Sequence, residues 1–440
     1  MNIQNPPAAM FHRIARLCRE RLVQNALALY GVMFANALLP LVLIPYVARV
    51  LGPGPWGRVL FAQTAAIWLG LLVEYGFTYS ATREVARHAD DPEKVRQIVT
   101  EVMAGRMGLC LLAILFALVL WWSVPEFRAG GHILMVGTCW LGLAQGLSPL
   151  WYFQGMERMR LPAVLEVACR VLYVVAVFIW VRSPADAPMV LVYQAAGLSC
   201  SLLITLAIMY RQTGAGLGTL SGAWRSLREA WRFFLFAALV NVYTRANSFF
   251  LGLLAAPAAV SFYGGPERMM RGILSLTGPV NQVLYPRLAW LVKHDLPAAR
   301  TTVRQGTLLV AVVGTGLGLV LTLGADWWVW WLLGPGYDAA VPVLRVLGLV
   351  CPLAAVNSVM GIRWMFPLGL DRTYNRIVMV GAALNVGLVF LLVPTLQAEG
   401  AAWAVLAAEG FIALTAFILL WRQGLNPFQK SQLPEAPVAS

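Results

Sequence analysis

Residues 25–86 read NALALYGVMFANALLPLVLIPYVARVLGPGPWGRVLFAQTAAIWLGLLVEYGFTYSATREVA, and this stretch decides the class of fold. Two apolar runs of membrane-crossing length are joined by Gly52-Pro53-Gly54-Pro55-Trp56-Gly57. The first run carries Asn36, Pro40 and Pro45 and ends at Arg49. The second ends in Glu74-Tyr75-Gly76 and a charged exit, Arg83-Glu84. A helix that only anchors a protein has no use for an Asn, two prolines and a terminal Arg. Irregular, polar helices at membrane depth are tolerated where they line a cavity. The stretch therefore points to transport.

The pattern continues along the chain. Of 440 residues, 60% are hydrophobic and the mean hydropathy is +0.71, far above a soluble globular domain. Apolar segments of about 20 residues, the length that spans hydrocarbon, recur throughout. They lie at 25–47, 56–78, 104–123, 132–153, 161–181, 187–209, 231–254, 259–284, 305–325, 340–361, 376–394 and 400–421. Twelve spans predict an all-α integral membrane protein with little room for a soluble domain. Five of the six cysteines sit within apolar segments and none forms a CxxC, so they read as small packing residues. The four histidines lie at span ends or in loops, which disfavours haem ligation or a His proton relay. Neither a metal site nor a cofactor is expected.

Charge placement sets the orientation. The net charge is +13, from 30 Arg and three Lys against 20 acids. With the N-terminus in the cytoplasm, 23 basic residues fall on the cytoplasmic side and four, Arg49, Arg58, Arg128 and Arg182, on the other. The cytoplasmic set includes Arg83, Arg106, Arg225, Arg228 and Arg232; six more arginines fall within spans. Such a bias is the positive-inside signal; it predicts both termini in the cytoplasm and an even number of spans. It also explains the positive charge without nucleic acid. The outer loops are short, leaving no place for an outer catalytic domain. The three lysines follow Glu93, Val292 and Gln429, so there is no Walker A lysine and no nucleotide site. A secondary transporter or lipid translocase, rather than an enzyme, is the simplest reading.

Residues 211–229, RQTGAGLGTLSGAWRSLRE, divide the chain. The predicted domains are a cytoplasmic amphipathic segment 1–24, a six-helix bundle 25–210, a cytoplasmic linker 211–229, a second six-helix bundle 230–423 and a cytoplasmic tail 424–440. Within the linker, Trp224, Leu227 and Trp231 at helical spacing predict an interfacial amphipathic helix. Both halves start inside and carry six spans, as in transporters built from parallel repeats.

Ionisable groups left in the membrane each need a reason, since one near the bilayer centre costs roughly 2.5–3.5 kcal/mol. Span seven offers Asn241, Thr244, Arg245, Asn247 and Ser248, too polar a set for a lipid-facing helix. No acid lies within a turn of Arg245 on its own helix, so it either faces an aqueous cavity and binds an anion or bonds helix carbonyls. Span eight holds Glu267, Arg268 and Arg271, with Glu267 and Arg271 spaced to pair at i, i+4. Glu166 and Arg170 in span five have the same spacing and are either an internal ion pair or a pair that opens for substrate. Arg245, Arg268, Arg271, Asn241 and Arg170 are the substrate-binding candidates, through bidentate Arg recognition of a diphosphate. Glu74, Glu166 and Glu409 are the ion-coupling candidates, with pairing to a neighbouring Arg as the alternative. Pro40, Pro45, Pro279 and Pro286 are candidate hinges.

The residues Leu39-Pro40-Leu41, Pro45-Tyr46, Ala48-Arg49-Val50-Leu51-Gly52-Pro53, Trp56-Gly57 and Phe61-Ala62-Gln63 resemble the opening of O-antigen (Wzx-type) polysaccharide flippases. The likeness continues through Glu74-Tyr75-Gly76-Phe77 and Ser80-Ala81-Thr82-Arg83-Glu84, with later echoes at Tyr285-Pro286-Arg287 and Tyr337-Asp338-Ala339-Ala340. The resemblance implies two six-helix bundles around a central, cationic cavity, as in the multidrug/oligosaccharidyl-lipid/polysaccharide (MOP) exporter superfamily. It implies flipping of undecaprenyl-diphosphate-linked oligosaccharide units across the bacterial inner membrane, driven by an ion gradient. It further implies membrane lipids, a polysaccharide polymerase and a chain-length regulator as partners. Two other readings remain open. A drug antiporter of the same fold predicts an acidic cavity, whereas the spans hold six basic residues against Glu74, Glu166, Glu267 and Glu409. An intramembrane polymerase or ligase calls for the outer domain that the short loops exclude.

Overall fold

The structure, a computed structural model, describes residues 42–216, 218–275 and 278–429, without the side chains of residues 243, 278–283 and 286. Pro40, Asn36, most of the first predicted span, the 1–24 segment and the tail beyond 429 lie outside the described residues. So do the side chains of Pro279 and Pro286, although both positions fall within a helix.

The described chain is helical. The helices are α1 (Val42–Leu51), α2 (Pro53–Glu74), α3 (Phe77–Arg87), α4 (Pro92–Ser123), α5 (Pro125–Ala129) and α6 (Gly131–Gly146). Next come α7 (Leu150–Gly155), α8 (Arg160–Trp180), α9 (Ala187–Thr213), α10 (Leu220–Leu254), α11 (Pro257–Leu274) and α12 (Gly278–His294). Last are α13 (Leu296–Leu323), α14 (Ala325–Leu332), α15 (Ala340–Asn357), a π-helix (Ser358–Met365) and α16 (Asp371–Arg422). Local chemistry sets the starts: Asp91 caps α4 by accepting from the Lys94 N–H at 3.1 Å, and Asp295 caps α13 through the Ala298 N–H at 2.9 Å.

Among the described residues eight helices are long and apolar enough to cross a membrane, or nine if the bent pair Leu220–Val242 and Thr244–Leu254 is one span. The count of twelve is thus not reproduced as twelve unbroken helices, and the reasons are local. α16 has 52 residues, about 78 Å of helix against a core of about 30 Å. Its backbone leaves helical geometry at Gln397 (φ 52°, ψ −129°), just after Pro394, which separates the two spans expected at 376–394 and 400–421. The span expected at 259–284 is divided between α11 and α12.

The helices form two compact units, one holding Ala62–Ala238 and the other Ile44–Phe61 with the chain from Leu239. The core of the first gathers Phe77, Val85, Val99, Met103, Trp151 and Phe153. The core of the second gathers Leu288, Val303, Val310, Trp364, Tyr374 and Ile412. This partition differs from a division at 211–229 at two places. The start of α10 stays with the first unit because small residues let it settle on α4: a Cβ on Gly218 would meet the Thr100 carbonyl at 2.8 Å, and Ser226 Oγ donates to the Glu101 carbonyl at 3.2 Å. The Gly/Pro turn joins the second unit. Gly52 (φ 73°) reverses the chain there, and buried Trp56 meets Tyr337 edge-on at 5.7 Å. Tyr337 donates to the Ala48 carbonyl at 3.0 Å, and burial raises its pKa, so it remains a donor. Arg49 donates to the Trp331 carbonyl.

Large apolar side chains, including Leu111, Leu115, Val119, Val312 and Leu391, remain exposed on the helix surfaces, each at least half accessible. Exposure on this scale fits a surface solvated by lipid rather than water.

Candidate membrane-embedded polar sites

In the second unit, polar side chains of α10, α11 and α16 converge. Glu267 and Arg271 pair across one turn of α11, Nη2 to Oε1, at 2.7 Å. The second carboxylate oxygen accepts from Ser248 Oγ on α10 at 3.1 Å. Arg271 also donates to the Thr244 carbonyl. One acid is thus held by one base and one hydroxyl. Arg245 stands exposed beside this pair, close enough to feel the charges of both Arg271 and Glu267. Arg245 and Arg271 thus share the one carboxylate, with Arg268 next to Glu267 in the chain. Asn241 lies half-buried one turn before Arg245 on α10.

A buried amide relay joins the same three helices. Asn385 Nδ2 donates to Asn247 Oδ1 at 2.7 Å, and Asn247 Nδ2 donates to the Tyr263 hydroxyl at 3.2 Å. Asn385 Oδ1 has no hydrogen-bond partner among the described residues. Tyr263 and Asn385 carry no signal in the sequence that couples them to Asn247; only packing of α16 and α11 against α10 does.

A third polar group joins α15, the π-helix and α16. Asn357 Nδ2 donates to Glu409 Oε2 at 2.6 Å and to the Glu409 carbonyl at 3.1 Å. The Tyr374 hydroxyl donates to the Asn357 carbonyl at 3.3 Å. The π-helix widens the turn here and seats Gly361 against the Tyr374 ring, where a Cβ would come within 2.0 Å. A cavity of about 340 Å³ opens beside Asn357, Thr307 and Met360. π-helical turns recur at functional sites because they displace side chains from regular register.

The first unit holds the remaining candidates. Glu166 and Arg170 form the expected pair at 2.9 Å on α8. Glu74 is the last residue of α2, and its carboxylate accepts from the Gly76 N–H at 3.0 Å and the Thr78 N–H at 2.7 Å. It therefore caps α3 after the left-handed reversal at Gly76 (φ 76°). Pro45 lies inside α1.

Arg106, counted among the cytoplasmic basic residues, is absent from the candidates read in the sequence. α4 begins at Pro92, so Arg106 lies well inside a helix and is fully buried. Its Nη1 donates to the Ser148 carbonyl at 2.8 Å, and its guanidinium lies over the Phe77 and Trp151 rings at 5.5 and 5.7 Å. Nε and Nη2 have no hydrogen-bond partner among the described residues, and the charge of Glu74 reaches it. The visible signal was an Arg within VMAGRMGLCLL, an otherwise uncharged run.

Comparison with known proteins fixes the family. The profile described as "Polysaccharide biosynthesis protein" matches residues 22–292, more than half of the chain. The chain belongs to this family. Two relatives of the chain carry the name "Putative O-antigen transporter". That of Escherichia coli (strain K12) is 27% identical over 401 residues, covering 90% of this chain and 96% of the relative. That of Shigella dysenteriae is 26% identical, covering 89% and 98%. Among solved structures, an inward-facing multidrug resistance MATE family transporter of the MOP superfamily superposes with TM-score 0.66 at 14% identity, over 92% of this chain and all of the other. The lipid II flippase MurJ, in an inward closed conformation, gives TM-score 0.66 at 12% identity, over 92% and 94%. At such identities the likeness establishes the fold alone, which this chain shares with both transporters. The chain is a multi-pass membrane protein.

Proposed function

We propose that the protein is a flippase that moves a lipid-diphosphate-linked oligosaccharide from the cytoplasmic to the outer leaflet of the bacterial inner membrane, for surface polysaccharide assembly. The observation that carries this reading is the unbalanced positive cluster around Arg245. Glu267 is already held by Arg271 and Ser248, so the Arg245 charge is available to an anion. A diphosphate is the chemistry that arginine forks recognise best. The names of the relatives and the family membership support the same direction. The positive-inside bias puts both termini in the cytoplasm. Without a Walker A lysine, an ion gradient supplies the driving force, with Glu409 as the coupling carboxylate. The test is complementation of a strain lacking its own flippase. Inserted Arg245→Ala and Arg268→Ala proteins that restored surface polysaccharide fully would defeat the proposal.

A further inference from the structure

A cleft in the first unit lies away from the candidate substrate-binding and ion-coupling residues. It has a volume of about 920 Å³ and is lined by Tyr79 and Arg83 of α3 and by Arg225, Arg228, Arg232 and Phe236 of α10, with Phe233 and Glu229 completing the wall. Arg225, Arg228, Arg232 and Phe236 follow the spacing i, i+3, i+7, i+11, so one stripe of the helix carries three cations and then an aromatic ring. α3 supplies the facing wall, more than 140 residues earlier in the chain.

The cleft is built rather than incidental. The neighbouring face of α10 is docked on α4 through Gly222 and Ser226, which sets the rotation of the helix and the direction of the stripe. Tyr79 stacks on Phe233 at 6.3 Å and meets Phe236 edge-on at 5.9 Å. The Arg83 guanidinium lies 5.3 Å from the centre of the Phe233 ring. Arg83 pairs with Glu84 at 3.2 Å and Arg225 with Glu101 at 3.4 Å. Arg228 and Arg232 are different: both are exposed and neither makes an ion pair or a hydrogen bond among the described residues. Four arginines against Glu229 leave the lining strongly positive.

A merely solvated basic face would not need the aromatic half. Here the charges sit at the start of α10, and Phe233 and Phe236 follow toward the apolar part of the helix. Trp224 and Trp231, 70% and 47% exposed, flank the stripe as interfacial residues do. An anionic head followed by an apolar tail matches this order of side chains, and the cavity is of ligand size.

We propose that this cleft binds the phosphate headgroup of a membrane lipid. Arg228 and Arg232 grip the phosphate oxygens, Arg83 and Arg225 add positive charge, and Tyr79, Phe233 and Phe236 hold the first carbons of the tail. Two lipids offer this chemistry: an anionic glycerophospholipid of the bilayer, or a polyprenyl diphosphate. Only the second rests on the flippase reading, and for it the cleft is a loading station on the cytoplasmic side.

The experiment uses the full-length purified protein in phosphatidylcholine nanodiscs, with phosphatidylglycerol and undecaprenyl diphosphate as separate probes. Binding is read by native mass spectrometry or by displacement of a fluorescent lipid. The Arg228→Ala/Arg232→Ala protein should bind at least one probe tenfold or more weakly, and Arg228→Lys/Arg232→Lys should recover part of the loss, since charge returns without the planar fork. Loss confined to phosphatidylglycerol assigns the site to a bilayer lipid; loss confined to undecaprenyl diphosphate, or shared by both, admits the carrier. Unchanged binding of both probes overturns the proposal. If the alanine pair does not purify as a monodisperse protein, Arg228→Gln/Arg232→Gln, which keeps the aliphatic stems, is read by the same outcomes. Because binding is measured without transport, failure here is separable from failure of Arg245 variants to lose complementation.

Discussion

Arg271 holds Glu267 Oε1 at 2.7 Å within α11, and the pairing decides what Arg245 can do. With Ser248 at 3.1 Å on the other oxygen, both carboxylate oxygens are engaged, and Glu267 acts on Arg245 through its charge rather than through a hydrogen bond. An incoming diphosphate therefore displaces no hydrogen-bonded acid from Arg245. A charge-assisted hydrogen bond contributes roughly 1.5–3 kcal/mol, which corresponds to about 10- to 100-fold in affinity. Arg245→Ala is expected to lower transport by that factor and Arg245→Lys by less. Initial rates of lipid-linked oligosaccharide flipping in proteoliposomes measure both, and equal rates for all three proteins would refute the role.

The same pair yields a stability prediction. Glu267→Gln removes the charge that holds Arg271, and Ser248→Ala removes only a neutral donor, worth about 1 kcal/mol. The Gln variant should therefore unfold at the lower temperature of the two. Combining Glu267→Gln with Arg271→Ala should cost less than the sum of the single changes, because the pair acts as a unit. Thermal unfolding in lipid nanodiscs checks the order, and strict additivity would show that the ion pair contributes nothing.

Arg106 permits a sharper separation of stability from function. It is fully buried, with one hydrogen bond and two ring faces around it. A buried charge without an ion-pair partner carries a desolvation cost that an apolar side chain of similar length does not. Arg106→Met is therefore expected to keep or raise the unfolding temperature. Glu74→Gln should lower it, by roughly 1–2 kcal/mol of stability, because it weakens the cap on α3 and removes a negative charge that acts on Arg106. The double variant should regain part of that loss. If Arg106→Met is as destabilised as Glu74→Gln, the guanidinium is a structural necessity rather than a retained charge.

What could be read in the sequence was whatever depends on neighbours along the chain. Apolar run length located the helices, and i, i+4 spacing found both Glu166–Arg170 and Glu267–Arg271. The Gly52–Gly57 turn was visible too, but its partners were not: Arg49 reaches Trp331 and Ala48 meets Tyr337 across more than 280 residues. Ser248 was visible only as one polar residue among several, since its bond to Glu267 exists only once α10 lies on α11. Arg106 was not singled out because it counts with the cytoplasmic charges at the start of a span, whereas α4 carries its first charged turns into the same continuous helix and buries the side chain. The Asn357–Glu409 contact depends on a π-helical turn, which no residue periodicity announces.

Glu409 is expected to separate coupling from movement. Its contact with Asn357 at 2.6 Å survives in form if the acid becomes an amide, so Glu409→Gln should fold normally. It removes the ionisable group on which a gradient acts. The variant should lose gradient-driven accumulation of substrate but retain equilibrium exchange across the membrane. Proteoliposomes with and without an ionophore distinguish the two, and a variant still stimulated by the gradient would remove Glu409 from the coupling path.

The contact between α13 and α15 gives a prediction with an internal control. A Cβ on Gly318 would lie 2.4 Å from the Gly348 carbonyl and 3.3 Å from Pro352 Cδ, so neither helix can yield without opening the crossing. Small residues at such crossings let helix backbones approach closely in a bilayer, where no hydrophobic force draws the helices together. Overpacking of this kind costs about 1–3 kcal/mol. Gly316 lies on the same helix, and nothing stands within 4 Å of a Cβ placed there. Gly316→Ala should be neutral or slightly stabilising through helix propensity, while Gly318→Ala lowers the unfolding temperature. Both helices belong to the second unit, so the effect reports packing inside that unit. Equal unfolding temperatures for the two variants, measured in the same nanodiscs, would show that α13 and α15 do not cross at Gly318 and Gly348.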